Sequence, residues 1–168
     1  MDIKSIYQFN VFRLNGKEVS LADFKDKVLL IVNIASGCSF TPQIRDLEIL
    51  HQEFAEEDFE ILAFPSNDFG GQEPLEGQEI QSFCTKSGAN YQIFDKIRVR
   101  GTYAHPLYKF LSDKKLNGNV SAAPRWNFQK YLINHEGEVM NYYYPFTSPN
   151  STRIKKDIIK LIKANKNS

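Results

Sequence analysis

The run "KVLLIVNIA" over residues 27–35 constrains the fold of this chain more than any other stretch. A continuous apolar, β-branched run has the pattern of a strand covered on both faces. Covering both faces requires helices above and below, which points to an α/β architecture. The residues that follow agree. Thr41 reads as a helix N-cap and Pro42 as the first helical residue, where its missing N–H costs nothing. "QIRDLEILHQEF" then sets Ile44, Leu47, Leu50 and Phe54 near one face, predicting a helix to about residue 56. A second strand opens "DFEILAFPSNDF" (58–69). The two strands and the helix form a βαβ unit, expected to be parallel and right-handed.

The remaining segments add to this unit. "YQFNVFRLNGKEVSL" (7–21) reads as an N-terminal β-hairpin turning at Asn15-Gly16. Residues 70–74 read as loop. Residues 76–87 predict a helix with Ile80, Phe83 and Cys84 on one side and Gly88 as its stop. "YQIFDKIRV" (91–99) is short and extended, and residues 105–113 form a helix with Pro106 at its first position. Residues 130–144 make a hairpin turning at His135-Glu136-Gly137. Residues 148–165 make a terminal helix capped by Ser148, with Ile154, Ile158, Leu161 and Ile162 on its buried face. The expectation is one domain over residues 1–168, a mixed central β-sheet flanked by helices. At 168 residues, roughly two-thirds of the unfolded chain's surface can be buried, so one core suffices.

Composition matters here mainly for what it excludes. A formal net charge of +1 gives no reason to expect nucleic acid as a partner. No run of about 18 apolar residues suggests a membrane span. The terminal helix is basic, with Arg153, Lys155, Lys156, Lys160, Lys163 and Lys166 against Asp157, which reads as a solvated face. "MDIKSIYQFN" lacks a basic region followed by an apolar one, so a cytoplasmic location is expected. The chain has two cysteines, which do not read as a disulfide framework. They read as buried thiols or as redox chemistry.

Cys38 lies beyond the carboxyl end of the first core strand and just before a helix start, where α/β proteins place ligands and chemistry. Unpaired N–H groups and the positive end of a helix dipole favour the thiolate, which is the reactive form. The competing reading is a small buried apolar residue. A thioredoxin-type dithiol needs C-x-x-C, and Thr41 stands where the second thiol belongs, so local dithiol exchange is disfavoured. A Cys-His hydrolase needs a histidine base. His51 falls in mid-helix, His135 in a hairpin turn, and His105 before a helix without a protease signature around it.

Two further stretches reach toward the same region. "FPSNDFGGQEP" (64–74) follows the second core strand, and Gln72 can direct an amide N–H at a thiolate. "RWNFQKYL" (125–132) holds the only tryptophan, Trp126, followed by Asn127, and both side chains carry N–H donors. Taken singly, Gln72 fits a solvated loop, Trp126 a core aromatic and Asn127 a turn.

Together with "NIASGCSFT" (33–41), these stretches resemble the glutathione peroxidase family. Its signatures are N-V-A-S-x-C/U-G-F/L-T, F-P-C-N-Q-F-G-x-Q-E-P and K-W-N-F. "AHPLYKFL" (104–111) is also similar to the family, and the resemblance runs in order from about residue 5 to residue 163. It implies a thioredoxin-like fold and a peroxidase without metal or cofactor. It implies Cys38 as the peroxidatic residue, with Gln72, Trp126 and Asn127 completing a tetrad. Cys84, 46 residues after Cys38, matches the resolving cysteine of the family's thioredoxin-dependent branch. Three positions depart from the pattern. Ser39 stands where the family has Gly, Ser66 replaces a cysteine, and Asp68 replaces a glutamine. A carboxylate at Asp68 would oppose the thiolate if it faced Cys38.

The resemblance implies the following cycle. Cys38 thiolate attacks a peroxide oxygen and becomes a sulfenic acid. Cys84 condenses with it, and thioredoxin, or alternatively glutathione, reduces the resulting disulfide. A disulfide needs Cα atoms within about 7 Å, so the helix carrying Cys84 is expected to unwind in part on oxidation. Hydrogen peroxide and organic hydroperoxides offer the same O–O bond. The short segment before the terminal helix suits a compact form, which the resemblance associates with a monomer, a dimer being the alternative. Two other readings compete: a peroxide sensor that relays its disulfide to a client protein, and a non-enzymatic thioredoxin-fold interaction module.

Overall fold

The computed structural model describes residues 4–167, so residues 1–3 and 168 of the expected 1–168 unit lie outside the described residues. β1 (Asn10–Phe12) and β2 (Glu18–Ser20) pair antiparallel and form the expected hairpin. The long apolar run becomes β3 (Val28–Ile34), and all seven of its residues are buried. After it come α1 (Gln43–Glu53), β4 (Phe59–Pro65), α2 (Gln78–Lys86) and β5 (Gln92–Ile93). Then follow α3 (Pro106–Ser112), α4 (Lys114–Asn117), β6 (Lys130–Ile133), β7 (Val139–Tyr143) and α5 (Thr152–Lys166).

The main sheet has the order β5-β4-β3-β6-β7. β3 and β4 run parallel from Val28–Phe59 to Ile34–Pro65, as the βαβ reading requires. β6 lies antiparallel on the other side of β3, and β7 extends the sheet antiparallel beyond it. Side chains alternate across the pleat of β3. Leu30, Val32 and Ile34 meet Ile44, Leu47 and Leu50 of α1 and Ile154 and Ile158 of α5. Leu29 and Ile31 meet Leu107, Tyr108 and Leu111 of α3 on the opposite face. The central strand is thus sealed on both sides, which is why it carries no exposed polar face.

Four local expectations change. Thr41 does not cap α1: Pro42 occupies the cap position without a side-chain bond, and the Thr41 hydroxyl is turned to the Cys38 loop. Ser151 rather than Ser148 caps α5, accepting from the Ile154 N–H. Ser148 instead accepts from the Asn150 N–H in the turn ahead. The extended segment 91–99 keeps only two residues in the sheet. Beyond Ile93 the pairing turns irregular: the Phe94 and Ile97 N–H groups still donate to the Ala63 and Pro65 carbonyls of β4 at 3.0 Å, while the Asp95 N–H donates to the Phe12 carbonyl at 2.8 Å. The one-turn α4 was not anticipated. Asp113 caps it, and Gly118, at φ +88°, ends it.

One buried charge stands out. Lys130 of β6 is fully buried, donating to the carbonyls of Phe128 (2.7 Å) and Pro145 (3.3 Å). Burial pushes its pKa down to about 7. In the unfolded chain the ammonium holds its proton to about pH 10.4. Between those values the unfolded state therefore binds more protons, and stability rises with pH. Below pH 7 both states are charged and the full cost of burying the ammonium is present. Urea unfolding at pH 7 and pH 9 is expected to show Lys130→Met losing this particular gain with pH.

Candidate active site

The carboxyl end of β3 delivers Cys38 into a short, heavily bonded loop. The Cys38 N–H donates to the Thr41 hydroxyl at 2.9 Å, and that hydroxyl donates to the Ala35 carbonyl at 2.9 Å. The Thr41 N–H in turn donates to the Cys38 carbonyl at 3.0 Å. The residue read as a helix cap therefore closes the cysteine loop instead. Cys38 Sγ accepts from the Phe40 N–H at 3.4 Å, a backbone donor aimed at the sulfur. Cys38 is a free thiol, 7% exposed.

The loop after β4 crosses this one closely. The Gly37 N–H donates to the Gln72 carbonyl at 2.7 Å. A Cβ on Gly37 would lie 2.9 Å from that same oxygen, so only glycine permits the crossing. The Gln72 side chain is held from a third segment, its Oε1 accepting from Asn127 Nδ2 at 3.0 Å. That bond makes Nε2 the donor end directed away from Asn127. Trp126 is half-buried and packs on Phe69 at 5.5 Å between ring centroids. Gly70, at φ +65°, brings the backbone so close that a Cβ there would lie 3.3 Å from the indole and 3.6 Å from the Gln72 side chain.

The 125–128 segment is fixed by β3 itself. Asn33 Nδ2 donates to the Trp126 carbonyl at 3.1 Å, and the Phe128 N–H donates to the Asn33 carbonyl at 2.6 Å. Phe128 sits at φ +70°, a left-handed conformation costing about 1–2 kcal/mol in a non-glycine residue. The structure thus brings Gln72, Trp126 and Asn127 together and ties them to the residue preceding Cys38. Asn33 and Phe128 were not singled out from the sequence. The available signal was a polar residue inside an apolar strand, which burial tolerates only when it is hydrogen-bonded.

Asp68 is accounted for elsewhere. Its carboxylate pairs with Arg98 at 2.8 Å and accepts from the backbone N–H groups of Val99 (2.7 Å) and Arg100 (3.3 Å). It serves as a clamp on the 98–100 segment. Ser66 is fully buried and accepts from the Asp68 N–H at 3.3 Å. Cys84 faces inward from α2 and shares a hydrophobic cluster with Cys38. Burial, and secondarily the charge of Glu73, pushes its thiol up to about 12. His105 caps α3 through Nδ1, which accepts from the Leu107 N–H at 3.0 Å, and burial lowers its pKa. Both effects keep it neutral and engaged with its own helix. Among the described residues no cluster of three or more His, Cys, Asp or Glu side chains is arranged to hold a metal ion. Nor is any described helix long and apolar enough to cross a membrane.

A mixed five-stranded sheet between helices, with a cysteine at the carboxyl end of a central strand, places the chain in the thioredoxin-like class of folds. The glutathione peroxidase family model matches residues 6–112. A glutathione peroxidase homolog of Halalkalibacterium halodurans is 43% identical over 159 residues, covering 94% of this chain and 99% of its own length. A probable phospholipid hydroperoxide glutathione peroxidase of Helianthus annuus is 49% identical over 151 residues, covering 89% of this chain and 82% of its own. A crystal structure of Trgpx in apo form superposes with a TM-score of 0.75 at 36% identity and 95% coverage of both chains. The chain belongs to the glutathione peroxidase family and is a peroxidase of that kind.

Proposed function

We propose that the chain acts as one domain that reduces hydrogen peroxide and organic hydroperoxides through Cys38. The observation that carries this reading is the crossing of two loops at Gly37 and Gln72. It holds Gln72, Asn127 and Trp126 in a fixed relation to the loop that presents the thiol. Preorganised donors of this kind stabilise a charge that develops during reaction. Cys38 thiolate attacks one peroxide oxygen, the O–O bond breaks, and the other oxygen leaves with a proton as water or alcohol. The N–H groups of Gln72, Trp126 and Asn127 steady both the thiolate and the departing oxygen. Cys38 becomes a sulfenic acid.

Cys84 then attacks that sulfenic acid, forming a Cys38–Cys84 disulfide. α2 suits this movement. It has nine residues, starts at Gly77 without a side-chain cap and buries only Ile80 and Cys84. A helix of that length has little stability of its own, so its partial unwinding is inexpensive. Thioredoxin reduces the disulfide, and the whole cycle suits a reducing, cytoplasmic compartment. Steady-state peroxide reduction compared side by side with thioredoxin and glutathione tests the choice of reductant. Turnover with thioredoxin at least about ten times faster is expected. Faster turnover with glutathione would remove thioredoxin from the cycle.

A further inference from the structure

Lys130 has no part in the steps above, yet it is buried in an unusual way. Its side chain is fully enclosed, and among the described residues no carboxylate pairs with it. A buried charge is ordinarily paired or coordinates a metal. Here the partners are two backbone carbonyls, those of Phe128 at 2.7 Å and Pro145 at 3.3 Å. An apolar side chain at this position would avoid the cost of desolvating an ammonium. What the lysine supplies instead is a long arm ending in several N–H donors, which it has whether or not it carries its extra proton.

The first carbonyl belongs to the turn that presents Trp126 and Asn127. Phe128, directly after Asn127, is held at φ +70°. Strained backbone of this kind persists only where its surroundings over-determine it. Both peptide planes flanking Phe128 are fixed, one from β3 and one from β6. The N–H on the Asn127 side donates to the Asn33 carbonyl at 2.6 Å, and the carbonyl on the far side accepts from Lys130. Planar peptides held on both sides leave φ and ψ of Phe128 little freedom. That sets where Asn127 leaves the main chain, and Asn127 Nδ2 is the donor that holds Gln72 Oε1 at 3.0 Å. The second carbonyl leads to the other side of the site. The Pro145 carbonyl also accepts from Gln43 Nε2 at 2.7 Å, and the Gln43 N–H donates to the Phe40 carbonyl at 2.8 Å. Phe40 is the residue whose N–H is aimed at Cys38 Sγ. One amine thus joins the Asn127 turn, through Pro145 and Gln43, to the loop of the thiol.

We propose that Lys130 is a positioning residue for the oxidation of Cys38, holding the Phe128 peptide so that the N–H donors of Gln72, Trp126 and Asn127 keep their places around the peroxide. Its hydrogen bonds go to carbonyls and not to Cys38, so it acts through Phe128 and Asn127. The proposal rests on the reading of Cys38 and its three donors given above. It also assigns Lys130 to one half of the cycle only. Oxidation of Cys38 draws on the preorganised donors, whereas reduction of the oxidised protein by an external thiol is thiol exchange and does not. The buried ammonium is then a cost in stability that the fold bears for the geometry of the site.

Lys130→Met keeps an unbranched side chain and removes the N–H donors. Two rates are followed by stopped flow: consumption of one equivalent of hydrogen peroxide by the reduced protein, and reduction of the oxidised protein by dithiothreitol. The first is expected to fall by about 10-fold, the scale on which a small misplacement of catalytic groups acts. The second is expected to stay at the parental rate, with urea unfolding at pH 7 still cooperative. If Lys130→Met does not unfold cooperatively, Lys130→Gln takes its place. It keeps N–H donors on a shorter arm, and a smaller loss confined to the first rate is expected. Peroxide consumption at the parental rate in the folded variant would overturn the proposal. So would equal slowing of both rates, which marks a general loosening of the fold. Cys38→Ser run in parallel separates the two failures. If it consumes its equivalent as fast as the parent, the reading of the site falls and Lys130 with it. If it stops while the folded Lys130 variant is unaffected, only the role of Lys130 falls.

Discussion

Cys38→Ser is expected to lower peroxide reduction by at least about 1,000-fold with either reductant, the scale on which removal of a catalytic nucleophile acts. Thiolate is the species that attacks the peroxide oxygen, and a serine hydroxyl is overwhelmingly protonated and a far weaker nucleophile at neutral pH. The substitution is mild in structural terms. A serine oxygen can accept from the Phe40 N–H as the sulfur does, and the Thr41 bonds that close the loop involve only the backbone of residue 38. Stability is therefore expected to change by no more than about 1 kcal/mol, measured by urea unfolding alongside the peroxide assay. A large loss of activity with an unaltered unfolding curve assigns the effect to chemistry.

Cys84→Ser has the second-largest expected effect, and it falls on a different quantity. Thioredoxin-coupled turnover is expected to fall to on the order of 1% of the parent, while the first equivalent of peroxide is still consumed. The division follows from the proposed roles: Cys84 lies on the inner face of α2, while the hydrogen bonds of the Cys38 loop are made with Thr41, Ala35 and Phe40. A serine hydroxyl in this apolar site costs about 1–3 kcal/mol unless it finds a partner, so Cys84→Ala serves as the companion variant. Both substitutions are expected to give the same burst of one equivalent followed by arrest. Full turnover in either would remove Cys84 from the cycle.

Much of this arrangement was readable in the sequence because it rests on local pattern. Continuous burial of β3 follows from its unbroken apolar run, and the parallel pairing of β3 and β4 follows from the helix between them. The faces of α1 and α5 follow from helical spacing, although Leu161 is only half-buried. Cys38 was nominated by its place between a buried strand and a helix start, and Gln72, Trp126 and Asn127 by the resemblance of their motifs to the glutathione peroxidase family.

What escaped was set by contacts between distant segments. Thr41 has the identity of a cap, but the carbonyl of Ala35 six residues back competes for its hydroxyl and wins. Asp68 looked like a threat to a thiolate until Arg98, Val99 and Arg100 appeared around it. The chain passes from 91 to 99 without a long strand because an extra residue falls between the N–H groups of Phe94 and Ile97, which donate to the carbonyls of Ala63 and Pro65 only two residues apart on β4. Lys130 and Glu73 are charged side chains that sequence reasoning assigns to the surface, and only the packed structure reveals them as buried. Each of these depends on which segments meet, a matter that propensity and periodicity do not reach.

The most direct test treats the reduced protein with one equivalent of hydrogen peroxide and maps its cysteines by mass spectrometry without reduction. The expected product is a single Cys38–Cys84 disulfide within each chain, formed with consumption of the whole equivalent. In Cys84→Ser the same treatment is expected to leave Cys38 as a sulfenic acid, captured by a 1,3-diketone. Unreacted peroxide with both thiols still free, or oxidation at Cys84 with Cys38 untouched, would contradict the assignment of Cys38 as the residue that meets peroxide.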